Sequence, residues 1–79
     1  MMSVIESCMV TFFYEGRERR ANVRTVPGSP EQVFHVTLED GYENIFFIPE
    51  SSPYSWYEKN IGFTGLASSV GAAIEKVFF

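Results

Sequence analysis

The sequence predicts an α+β fold: a three- to five-stranded antiparallel β-meander with one C-terminal α-helix packed on one face. Three observations carry that expectation. Apolar and polar residues alternate through 7–14, 19–26 and 33–39, the period of strands with one buried side. Turn signals at Glu15-Gly16 and Asp40-Gly41 sit directly between such arms, a spacing that makes hairpins. From Leu66 to Val77 the apolar spacing changes to three and four, the period of an amphipathic helix.

A first strand over about 7–14 puts Cys8, Val10, Phe12 and Tyr14 on one side and Met9, Thr11 and Phe13 on the other. The turn Glu15-Gly16-Arg17-Glu18 leads into a second strand over about 19–26. A tight turn centred on either Glu15-Gly16 or Gly16-Arg17 keeps facing parity, so Ala21 and Val23 join Val10 and Phe12 on the core side. Arg20, Asn22 and Arg24 then join Met9 and Phe13 on the opposite side. Pro27-Gly28-Ser29-Pro30 ends this hairpin and links it to the next.

The stretch 33–48 organises the rest of the chain. Phe34, Val36 and Leu38 alternate with His35, Thr37 and Glu39 along a strand over about 33–39. After Asp40-Gly41, a second arm over about 42–48 runs apolar without a break from Ile45 to Ile48. Such an arm supplies apolar groups to both faces in any register, which suits an interior strand. The register itself is left open by the turn. A second breaker, Pro49 to Pro53, precedes a candidate short edge strand over 54–58, which Asn60 and Gly62 soon interrupt.

The helix is expected over about 65–77, with Thr64 as N-cap accepting from a free amide of the first turn. Gly71 inside it costs ~1 kcal/mol relative to Ala, which points to a close approach between helix and sheet. The apolar pair Phe78-Phe79 should fold back against the sheet or meet a partner.

Four segments, Phe12-x-Tyr14-x-Gly16-Arg17, Ala21-x-Val23, Phe34 to Leu38 and Val70-Gly71-Ala72-Ala73-Ile74, resemble a group of short bacterial proteins. That group has an antiparallel meander closed by a C-terminal helix and no assigned activity. The resemblance covers most of the chain and implies the same fold. Its motifs are structural, so it transfers no functional residue.

At 79 residues the chain makes one domain, 1–79, close to the smallest size that a single core supports without disulfides or metal. Sixteen per cent aromatic content, with eight Phe, argues for a packed core and is more than so small a core easily hides. Cys8 is the only cysteine, so no internal disulfide forms and a reducing compartment is favoured. Residues 1–10 lack a basic, apolar leader and no apolar run reaches the ~20 residues of a membrane span, so a cytoplasmic protein without membrane contact is expected. The charge is asymmetric. Arg17, Arg19, Arg20 and Arg24 outnumber the acids of residues 1–26, while the remainder is strongly acidic and the whole chain carries −4.

Candidates for chemistry are few. His35 and Cys8 have opposite strand parity, so they should point apart, and one His with one Cys is too few for a zinc site. Glu39, Asp40 and Glu43 bracket a tight turn and read as solvated charge. Gly62, Gly65 and Gly71 match no phosphate-cradling loop. The expectation is no enzyme, no cofactor and no metal. What stands out is a candidate interaction surface of Phe13, Arg20, Arg24, Phe46, Trp56 and Tyr57. One helix can cover one face of a sheet, so the other face is left for a protein partner or a second copy of the chain. The alternative is weak binding of nucleic acid or another anion through Arg20, Arg24 and Phe13 of the first hairpin.

Overall fold

A computed structural model describes residues 7–28 and 33–79. Its elements are β1 Ser7–Tyr14, β2 Arg17–Thr25, β3 Val33–Leu38, β4 Glu43–Phe47, β5 Tyr57–Glu58, β6 Gly62–Phe63 and α1 Gly65–Phe78. The strands form one antiparallel sheet in chain order, β1-β2-β3-β4-β5-β6, and α1 packs across one side of it. The α+β meander is therefore as the residue pattern predicts, with six strands where three to five are expected.

The extra strand comes from the segment that Asn60 and Gly62 interrupt. Both residues take positive φ, 69° and 108°, and the Ile61 N–H donates to the Glu58 carbonyl at 3.1 Å. The interruption is itself a tight reversal, which pairs Tyr57 with Phe63 and Glu58 with Gly62. The candidate strand over 54–58 accordingly shrinks to Tyr57–Glu58. The second strand starts earlier than expected, at Arg17 and not Arg19. Glu15 and Gly16 both have positive φ, 53° and 77°, the two-residue turn whose twist matches that of the flanking strands, so Arg17 and Glu18 stay in the ladder. Ser29 and Pro30 of the first breaker lie outside the described residues.

The register answers what the central turn left open. Phe34 stands opposite Phe46, and His35 opposite Ile45. Phe34, Val36 and Leu38 thus share the helix side with Val10, Ala21, Val23 and Phe46. Ala67, Val70, Ala73 and Ile74 of α1 close that core from above. Each large side chain buried there contributes about 1.5–3 kcal/mol.

Two contacts hold α1 in place. At its start the Thr64 hydroxyl accepts from the Ala67 N–H at 2.9 Å, so the expected N-cap forms. At its middle Gly71 meets the indole of Trp56. A Cβ on Gly71 would lie 2.1 Å from Trp56 Cδ1, so no other residue fits without moving the ring. The indole N–H donates to Glu75 at 3.0 Å, one turn further on. Phe34 stacks against Trp56 at 5.9 Å and against Phe78 at 5.0 Å, so the apolar end of the chain does fold back onto the core.

Gly71→Ala tests this seating. The indole cannot yield without losing its contacts with Phe34 and Glu75, so overpacking should cost about 1–3 kcal/mol despite the better helix propensity of Ala. In thermal unfolding followed by circular dichroism the midpoint should fall by roughly 5–20 °C. An unchanged or raised midpoint would show that Trp56 does not occupy the site.

Candidate interaction surface

The side of the sheet away from α1 is built by the other parity of each strand. β1 contributes Met9, Thr11 and Phe13, and β2 contributes Arg20, Asn22 and Arg24. β3 and β4 add Val33, His35 and Thr37 with Glu43, Ile45 and Phe47, and the last two strands add Tyr57 and Phe63. Met9, Phe13 and Phe63 are 59%, 71% and 61% exposed, high for large apolar side chains. Ile45, Phe47 and Tyr57 are half-buried. Tyr57 links the group, with ring centroids 6.1 Å from Phe47 and 6.2 Å from Phe63.

A polar band divides the two apolar ends. Arg24 Nη2 donates to His35 Nδ1 at 3.4 Å, and His35 Nε2 lies 2.9 Å from Glu43 Oε1. A guanidinium can only donate, so Nδ1 accepts and the ring proton sits on Nε2, pointing at Glu43. His35 therefore contacts both neighbouring strands, Arg24 on β2 and Glu43 on β4. Cys8 faces the helix side, so the two groups lie on opposite faces of the sheet.

Four of the six candidate residues belong to this surface: Phe13, Arg20, Arg24 and Tyr57. Phe46 and Trp56 do not. Phe46 is 0% and Trp56 4% exposed, both on the helix side. Phe46 turns inward because its partner is Phe34, and Trp56 because Gly71 leaves room for it. Their places on the open side are taken by Ile45, Phe47 and Phe63, whose parity follows once the central register is known.

Two polar clusters escape a first reading of the sequence. Arg19 shares the parity of Ala21 and so lies nearly buried opposite Phe12. Its Nε donates to Glu39 Oε2 at 2.9 Å and its Nη2 to Asp40 Oδ2 at 3.1 Å. Glu39 also accepts from the Arg20 N–H at 3.1 Å. That backbone hydrogen bond first, opposed by burial and aided by Arg19, holds the Glu39 carboxyl below its ordinary value, and the same pairing raises the Arg19 guanidinium. The Glu39-Asp40 turn is thus a clamp on Arg19 and not free solvated charge. Parity with Ala21 and Val23 is the signal that marks Arg19.

The second cluster centres on Glu58, 3% exposed on the helix side. Its two carboxylate oxygens accept from the Tyr42 and Thr64 hydroxyls, and Asn44 Nδ2 donates to the Lys59 carbonyl beside it at 3.1 Å. Thr64 thereby donates to Glu58 while accepting from Ala67, which ties the start of α1 to β5. Among the described residues no buried side-chain nitrogen or oxygen lacks a partner, so this network is closed.

The described elements define a small α+β protein with one covered and one open sheet face. No protein-family model, curated protein or solved structure matches the chain. None of its described helices is long and apolar enough to cross a membrane.

The Glu58 network makes a prediction in alkaline solution. Ionising Tyr42 removes the proton that Glu58 accepts and sets two negative charges together, so its pKa is raised, first by that bond and then by burial. The unfolded chain releases this proton more readily. The contribution is therefore whole below the ordinary phenolic value of 10.0 and is lost as pH rises through the higher folded value. Denaturant midpoints should fall less steeply with alkaline pH in Tyr42→Phe than in the native chain. Equal slopes would show that Tyr42 and Glu58 are not coupled.

Proposed function

We propose that the chain is a small protein-interaction module, not an enzyme, that associates with a second copy of itself through the side of the sheet α1 leaves uncovered. The observation that carries this is the exposure of Met9, Phe13 and Phe63 on that side, beside Ile45, Phe47 and Tyr57. An apolar surface of this kind on a folded domain marks association. A binding role also suits the open side's titratable groups, since His35 is occupied by Arg24 and Glu43. The lone thiol of Cys8 supports work in the reducing cytoplasm. Anion binding at Arg20 and Arg24 has less behind it, because Glu39 bonds the Arg20 backbone and Glu43 reaches the histidine that Arg24 contacts.

Light scattering on the full chain tests this from about 10 μM to about 1 mM, the range in which modest interfaces form. The mass should rise from 9.0 kDa toward twice that value. A mass of 9.0 kDa throughout would overturn self-association.

A further inference from the structure

The two edges of the sheet differ. β6 ends it with two residues, while β1 runs for eight and, among the described residues, pairs with β2 alone. The Glu15-Gly16 turn joins Tyr14 to Arg17 as a hydrogen-bonded pair, so the bonds to β2 belong to Cys8, Val10, Phe12 and Tyr14. Ser7, Met9, Thr11 and Phe13 therefore direct their N–H and C=O groups away from β2, along the rim of the sheet. Proteins guard such an edge with charge, proline, a bulge or a cover. β1 contains no charged residue and no proline, and its register with β2 is unbroken from Ser7 to Tyr14. Met9 and Phe13 are also among its most exposed side chains.

We propose that a second copy of this chain docks on β1, strand against strand and antiparallel, about a two-fold axis through Thr11. The proposal rests on the reading above that the chain self-associates, and moves the contact from the open face to the rim of the sheet where Met9 and Phe13 stand. Outward-directed residues must face outward-directed residues for the ladder to form. An axis at Val10 meets that condition but sets Phe13 against Ser7. An axis at Thr11 meets it too, and sets Met9 against the partner's Phe13 twice over, with Thr11 against the partner's Thr11. Thioether on ring and hydroxyl on hydroxyl are favourable cross-strand pairs.

A second copy is the occupant that this self-complementary register favours, and β1 is where charge opposes it least. The chain carries −4, so two copies repel across most of their surface, and β1 is a stretch free of charge. A groove of about 430 Å³ opens beside Thr11 and Phe13, between β1 and α1. Its helical wall is Ser69, Ala72, Ala73 and Lys76, and its two charges, Glu18 and Lys76, are of opposite sign. Docking there prolongs the sheet across the axis and joins the two open faces into one surface.

Two substitutions at the axis test the proposal, with circular dichroism to show that each variant is folded. The Thr11 N–H points outward, so Thr11→Pro removes a hydrogen bond between copies and none within the chain. Thr11→Lys sets two ammonium groups face to face. Each should weaken the dimer at least about tenfold by light scattering. In the native chain, amide exchange at Met9, Thr11 and Phe13 should slow as concentration rises, a readout that needs no variant. Exchange at those amides that ignores concentration in a dimeric chain would overturn the proposal, as would dimers retained by both folded variants. Loss of the dimer in Phe63→Lys, with Thr11→Lys unaffected, would overturn edge pairing and leave open-face association standing. A native chain that stays monomeric would overturn both, even if a different extended peptide protected the β1 amides.

Discussion

Gly71 lacks a side chain where Trp56 needs room, and the placing of α1 depends on that contact. The indole fills the gap, donates to Glu75 and stacks on Phe34, so one ring joins the helix to the chain leading into β5 and to the centre of the sheet. Thr64 and Glu58 fix the start of the same helix against the same strand. A rod held at two points can lie only one way. Its apolar stripe of Ala67, Val70, Ala73 and Ile74 then covers the side carrying Phe34, Val36 and Phe46.

One covered side leaves another open. The open side is not simply hydrophilic: a band of Arg24, His35 and Glu43 separates the Phe47–Tyr57–Phe63 group from Met9 and Phe13 at the β1 rim. The three polar residues hold one another, so the band behaves as a stable divider and not as an array of free charges. What lies at either end is apolar and accessible. At the β1 end it coincides with backbone groups that have no strand beside them among the described residues, and side-chain burial and hydrogen bonding then reward the same docking geometry.

Most of this architecture is legible in the residues because period and parity are local properties. Alternation through Val10, Phe12, Ala21 and Val23 marks the buried side of the first hairpin, and the change of spacing after Thr64 marks both the helix and its cap. A close approach at Gly71 can be inferred from its cost, but not that Trp56 is the neighbour, since that contact exists only once the chain is folded. Phe46 is misplaced for a related reason. An unbroken run from Ile45 to Ile48 has no alternation to read, so only its pairing with β3 decides which residues turn inward. Arg19 fails differently: a cation in strand parity with the core is discounted on hydrophobicity, yet Glu39 and Asp40 supply the partners that make its burial possible. Asn60 and Gly62 look like a break in a strand and are the turn of a hairpin, because positive φ serves both purposes.

Small-angle X-ray scattering over a concentration series addresses the dependence of association on a half-covered sheet most directly. A single copy has a radius of gyration of 12.0 Å. Two copies joined at their β1 edges place their centres about three strand spacings either side of the axis, which raises the value to about 19 Å. A rise toward that value with concentration is the expected result. A value that stays near 12.0 Å would contradict it, and would mean that the open side and edge of this sheet take no second copy.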